Sequence, residues 1–122
     1  MISKLIIATS LVAAQMPPDE KVKVDLFYES LCPYCKDMIS GSFAEAFKAD
    51  GFLNMAEVNF WPYGNAHQTQ SDSGDWEFRC QHGDAECQYN LIETCVINLT
   101  KCPYKAFDII NCIEQKDQDS DF

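Results

Sequence analysis

Two cysteines separated by two residues, Cys32-Pro33-Tyr34-Cys35, have the types and spacing best suited to chemistry in this chain. Such a pair can cycle between dithiol and disulfide. One thiolate attacks a substrate disulfide, and the second sulfur then attacks the mixed disulfide that results. The first sulfur must carry negative charge, which the free N–H groups and dipole of a helix N-terminus favour. Cys32 is the expected nucleophile and Cys35, one turn deeper, the expected resolving thiol. Pro33 suits a first helical turn, where its missing N–H costs nothing. The same spacing also fits half of a zinc site, with Cys80, His82 and Cys87 supplying the rest, or a purely structural disulfide. It does not fit a c-type haem site, because Lys36 follows where a histidine is needed.

The pair needs elements to position it. Lys21 to Glu29 alternates, with Val22, Val24, Leu26 and Tyr28 on one side and Lys23, Asp25 and Glu29, with Phe27 among them, on the other, which predicts a strand. Cys35, Met38, Ile39, Ser42, Phe43, Ala46 and Phe47 recur at helical spacing. Gly41 weakens that helix and Asp50-Gly51 ends it. Leu53 to Trp61 returns to alternation, so the segment reads as a βαβ unit with parallel strands. Trp61 to Asp75 reads as a turn-rich loop. Further amphipathic helices are expected from about Ala85 to Leu99 and from about Tyr104 to Ile113, with an acidic, frayed tail over 114–122.

The middle of the chain is rich in cysteine. Cys87 and Cys95 lie eight residues apart on one predicted helix, about 12 Å of rise. A disulfide needs Cα atoms within about 7 Å, so the two cannot bond each other, and each must reach another segment. Cys80, Cys87, Cys95, Cys102 and Cys112 are the structural disulfide candidates. Five cannot all pair, in keeping with an odd total of seven cysteines. His82 is open to three readings: metal ligand, proton shuttle, or a loop residue bonded to backbone, the last being favoured. His67 has no constellation around it.

Length and composition set the limits. The chain has 122 residues, room for one domain, and a formal charge of -10. That charge argues against nucleic acid and against an anionic membrane surface as partners. Residues 1–14 read as a signal peptide, with an apolar run too short to span a bilayer and small residues before a cleavage point after Ala14. Residues 15–21 then form a linker and 22–113 the domain. No later segment is long and apolar enough to anchor the chain in a membrane, so a soluble product of the secretory pathway is expected, where disulfides persist. Asn98-Leu99-Thr100 is a candidate glycosylation site.

With these residues in view, the chain resembles the gamma-interferon-inducible lysosomal thiol reductase (GILT) family. That family carries a CxxC followed by C-Q-H-G-x2-E-C-x2-N-x4-C. Cys80, Gln81, His82, Gly83, Glu86, Cys87, Asn90 and Cys95 match every fixed position. Trp61 to Ala66 and Trp76-Glu77-Phe78 are similar to flanking family segments, and the likeness covers about Val22 to Cys112. The resemblance implies an α/β, thioredoxin-like fold with a cysteine-rich helical insertion. It implies reduction of protein disulfides in an acidic lysosomal or extracellular setting. Cys32 and Cys35 take the catalytic positions in the carry-over, and the signature cysteines the structural ones. No cofactor or metal is implied beyond an external small thiol reductant. The chain stops soon after Cys112, where family members continue into a further β-hairpin and helix, so a C-terminally truncated product is expected. A different class of reading is a non-catalytic, disulfide-held secreted binding module from such a truncated product; a metal-binding domain is a third.

Overall fold

A computed structural model of the protein describes residues 20–116. The expected signal peptide and cleavage point, most of the linker and the end of the acidic tail lie outside these residues. The element order is β1 (Val22–Tyr28), α1 (Pro33–Met38), a π-helical segment (Ile39–Phe43), α2 (Ala44–Lys48), α3 (Phe52–Met55), β2 (Ala56–Pro62), β3 (His67–Gln70), β4 (Trp76–Arg79), α4 (Asp84–Thr100) and α5 (Pro103–Gln115). The class is mixed α/β, with one parallel and one antiparallel pair of strands.

β1 and β2 pair in parallel from Val22↔Ala56 to Tyr28↔Pro62, with the helical run 33–48 and α3 between them. A parallel pair needs such a crossover because a tight turn cannot reverse the chain twice. Leu26 and Tyr28 of β1, and Ala56, Val58 and Phe60 of β2, face inward as the period-two pattern requires. α5 lays Ala106, Phe107 and Ile110 against them. Phe47 is the hub of this core. Its ring stacks on Phe107 with centroids 3.9 Å apart, and Phe52 and Phe60 crowd its edges at 5.4 and 6.1 Å. Aromatic rings combine large apolar area with defined mutual geometry, so this cluster fixes how α2 and α5 sit on the sheet.

The opposite face of the parallel pair is open. Phe27 and Trp61, directly across from each other in the register, stack at 6.1 Å on the outside. Trp61 Nε1 donates to Asp25 Oδ1 at 2.9 Å. Phe27 is 72% exposed.

Four elements differ from the sequence-based expectation. The helix expected through Cys35–Phe47 contains a π-helical stretch around Gly41, the residue that weakens it. Leu53 lies in a single helical turn, α3, and β2 begins only at Ala56. The stretch read as loop contains β3, which pairs antiparallel with β4. Every strand residue of this hairpin is exposed, so it leaves no apolar alternation to read. Finally, α5 runs to Gln115, and Glu114, expected to open the frayed tail, is buried.

Candidate redox site

The chain leaves β1 inward. Glu29 is only 4% exposed and Ser30 fully buried, so Glu29 does not lie on the solvent side that strand alternation assigned it. The strand has ended at Tyr28, and period two no longer governs. Leu31 then adopts a left-handed backbone, with φ +65°. This is uncommon for a branched residue and sharply redirects the chain. The turn delivers Cys32 to the N-cap of α1 in extended conformation, with Pro33 in the first turn. Lys36 N–H donates to the Cys32 carbonyl at 3.0 Å, closing that turn.

Cys35 sits one turn deeper and is half-buried. Burial pushes its thiol up to about 11. A backbone hydrogen bond from Glu29 opposes this, while a side-chain hydrogen bond to Cys32, and the charges of Cys32 and Glu29, add to it. Cys35 therefore holds its proton and offers it to Cys32.

The signature residues gather around the same turn. The Cys80–Cys87 disulfide, with Cα atoms 5.6 Å apart, ties the loop before α4 to the first turns of that helix. Within it, His82 backbone N–H donates to Glu86 Oε2 at 2.6 Å, and His82 Nδ1 lies 2.8 Å from the same oxygen. His82 Nδ1 is also 3.9 Å from Glu29 Oε1. The Nδ1 edge of the ring thus meets both buried carboxyls, Glu86 closely and Glu29 at longer range, and the ring is only partly exposed. Glu29 Oε2 accepts the Asn65 N–H at 2.8 Å, and Asn65 Nδ2 donates to Gln81 Oε1 at 2.8 Å. Gly64, at φ +55°, gives Glu29 its seat: a Cβ there would overlap the carboxylate. Asn90 of α4 accepts the Ser30 N–H at 2.9 Å and so pins the loop ahead of Cys32.

A second acidic group lies beneath β1. Tyr28 O–H donates to Glu93 Oε2 at 2.6 Å, and the Glu114 carboxyl of α5 faces Glu93. All three side chains are 2% exposed or less. Burial first, then Glu114, push Glu93 up to about 8, against the hydrogen bond from Tyr28. Burial and Glu93 likewise push Tyr28 far above its ordinary value.

Of the five structural disulfide candidates, Cys80 and Cys87 are joined. Cys95, placed among them because it cannot reach Cys87, keeps a free thiol on the exposed side of α4, and Cys102 and Cys112 are also free. The zinc reading loses its partners, since Cys80 and Cys87 are spent on each other. Among the described residues no group of His, Cys, Asp or Glu is arranged to hold a metal ion. The His82 ring meets a carboxylate rather than backbone, as the favoured reading had it. Asn98 is exposed near the end of α4, its side chain donating to the Thr94 carbonyl at 3.0 Å.

A family model described as "Gamma interferon inducible lysosomal thiol reductase (GILT)" matches residues 23–122. The chain belongs to the GILT family. A GILT relative from Mus musculus, a gamma-interferon-inducible lysosomal thiol reductase, is 36% identical over 102 residues, covering 84% of this chain and 40% of the relative. A protein of the same name from Carassius auratus is 40% identical over 93 residues, covering 76% and 35%. A gamma-interferon-responsive lysosomal thiol protein from Arabidopsis thaliana is 33% identical over 94 residues, covering 77% and 38%. The chain thus spans well under half the length of these relatives. In GILT terms, the signature and the CxxC meet here through Glu29, which sequence reasoning did not single out. Its one sequence signal was an acid placed three residues before Cys32. Glu93 and Glu114 were missed as well, because acids on an amphipathic helix ordinarily face water.

Proposed function

We propose that this chain is a thiol–disulfide oxidoreductase that reduces protein disulfides through Cys32 and Cys35, on a thioredoxin-like scaffold. The observation that carries the reading is the asymmetry of the pair: Cys35 is half-buried and proton-holding beside Cys32 at the start of α1. Cys32 attacks a substrate disulfide, expels one substrate thiol and forms a mixed disulfide. Its charge and its hydrogen bond from Cys35 then disappear, and both had helped Cys35 to keep its proton. Cys35 is released to attack Cys32, the second substrate thiol leaves, and the Cys32–Cys35 disulfide forms. A small external thiol returns the pair to the dithiol, so the chain itself needs no cofactor.

The names of the relatives support a lysosomal or, more broadly, secretory setting, where the Cys80–Cys87 bridge would persist. Among the described residues no helix is long and apolar enough to cross a membrane. The test is a pair of substitutions. Cys32→Ser should abolish turnover of a protein disulfide, and Cys35→Ser should accumulate a mixed disulfide on Cys32. Unchanged turnover in the Cys32→Ser protein sinks the reading. A second reading, a disulfide-held binding module, draws on the exposed Phe27–Trp61 face. An unreactive Cys32 together with capture of a partner on that face would favour it.

A further inference from the structure

One cavity of the molecule has no part in the mechanism above. It lies between β4, α4 and the chain at the end of β2, and holds about 420 Å³. Pro62, Ala66, Phe78, Leu91 and the Cys80–Cys87 disulfide line it, and no charged side chain does. Phe78 and Leu91 are 51% and 64% exposed, so apolar surface continues from the cavity to its rim. Among the polar groups of the lining, Asn90 stands apart. It is 6% exposed, and its Oδ1 accepts the Ser30 N–H at 2.9 Å. That bond fixes which end of the amide is oxygen, and it leaves Nδ2 buried with no acceptor. A buried donor without a partner costs free energy, and most buried polar groups have one. An acceptor carried on an apolar body is the chemistry this cavity lacks.

We propose that this cavity seats the substrate polypeptide: one large apolar side chain of an uncharged segment fills it, and a backbone carbonyl of that segment accepts from Asn90 Nδ2. The assignment rests on the reductase reading and names its substrate class. A polypeptide is the occupant that offers an apolar side chain beside a carbonyl at every such residue. Ligand pockets run from roughly 300 to 1,000 Å³, and this one suits a single side chain with its peptide group. A charged side chain would find no partner in the lining and would lose its water. Acidic segments are further opposed by the formal charge of -10. The cavity is also continuous with the redox turn. The amide that would hold the ligand already holds Ser30, two residues before Cys32. Because water does not reach Nδ2 in the free protein, seating the carbonyl includes a shift of an exposed rim side chain, Gln88 or Leu91, of the kind common on binding.

The experiment titrates the isotope-labelled full chain with cysteine-free peptides, acetyl-Gly-X-Gly-amide, in which X is Leu, Phe, Gly or Asp. Proton–nitrogen NMR spectra follow the Asn90 side-chain amide and the Phe78 and Leu91 backbone amides. The Leu and Phe peptides should move these resonances and bind at least about tenfold more tightly than the Gly and Asp peptides. Asn90→Asp keeps an oxygen for the Ser30 N–H but removes the donor, and should weaken the Leu peptide by at least about fivefold. Phe78→Ser, at an exposed wall position, should weaken it by a similar factor. Equal affinity for all the peptides, shifts confined to other residues, or parent-like affinity in Asn90→Asp overturns the proposal. If Asn90→Asp fails to fold by circular dichroism, Phe78→Ser decides: weaker binding supports the assignment, and parent-like binding overturns it. Shifts of these resonances on concentrating the protein alone, with none on adding peptide, assign the cavity to a second copy and overturn the proposal. Adduct formation between Cys32 and oxidised glutathione, read by peptide mass spectrometry, tests the reductase reading separately. An adduct without peptide binding overturns the proposal and leaves the reductase reading standing. Peptide binding without an adduct overturns the reductase reading, and with it the naming of the bound polypeptide as substrate.

Discussion

Glu29 and Glu93 are both buried glutamates beside the C-terminal end of β1, yet opposite company surrounds them. Glu29 meets an amide N–H and, at 3.9 Å, a histidine ring. Glu93 meets a phenol and a second carboxyl. A facing acid penalises negative charge and makes the pair keep a proton. One residue type in one region thus keeps two kinds of company, and at Glu93 the facing acid makes it hold a proton.

Four measurements would break or sharpen this contrast. The largest effect is expected at Glu86, the anchor of the His82 loop. Glu86→Ala takes away the shared acceptor of the His82 N–H and ring, which are themselves only partly buried, and should cost about 1–3 kcal/mol in urea unfolding. Glu86→Gln, which still accepts the N–H, should cost clearly less. Equal losses would mean that packing, not charge, holds the loop.

The next effect is the pH dependence of stability, which belongs to the other site. The folded protein keeps the Glu93 proton up to about pH 8, whereas the unfolded chain releases it near the ordinary carboxylate value. The contribution is complete at acid pH and is lost as pH rises through the window between these values. The thermal midpoint should therefore be higher at pH 5 than at pH 8, and Glu93→Gln should flatten the slope. A midpoint that rises with pH over that window would contradict the assignment.

Tyr28→Phe should come third. It removes one hydrogen bond from the proton-holding site and should cost about 1–2 kcal/mol, with the pH slope largely kept. The smallest effect is expected outside both sites. Lys48 and Glu45 form a 3.0 Å ion pair with both side chains mostly in water. Lys48→Ala should change stability within the error of the unfolding curve. A loss there comparable to Glu86→Ala would undo the claim that burial, rather than pairing as such, gives these charges their effect.

The sequence was most legible where apolar periodicity or a compact motif carried the signal. The inward residues of β2, the turn-and-helix placement of Cys32, and the positions of α4 and α5 follow from spacing, but the expected apolar side of α4 does not: Leu91, Ile92, Cys95 and Leu99 are exposed, while Glu86, Asn90 and Glu93 are buried. Legibility failed where tertiary contact overrides the local pattern. β3 and β4 pair through backbone while showing water every side chain, so no hydrophobic period marks them. Glu29 belongs by alternation to the solvent side, but β1 ends at Tyr28, so period two no longer governs it and it lies buried. Glu93 and Glu114 lie on different helices, and nothing in either helix announces the other. The CxxC and the signature could each be read alone; the Glu29–His82 contact joining them needed three dimensions.

The open face of the β1–β2 pair bears on how the protein behaves in a tube. Parallel strands are ordinarily covered on both sides, and here a stacked Phe27–Trp61 pair meets solvent. Each molecule also carries a formal charge of -10, which keeps copies apart at low ionic strength. Added salt shortens the reach of that repulsion to a few ångströms while leaving the attraction between aromatic faces intact. Its colloidal stability is thus predicted to fall with salt, and sedimentation across a sodium chloride series would show larger species growing in at constant protein concentration.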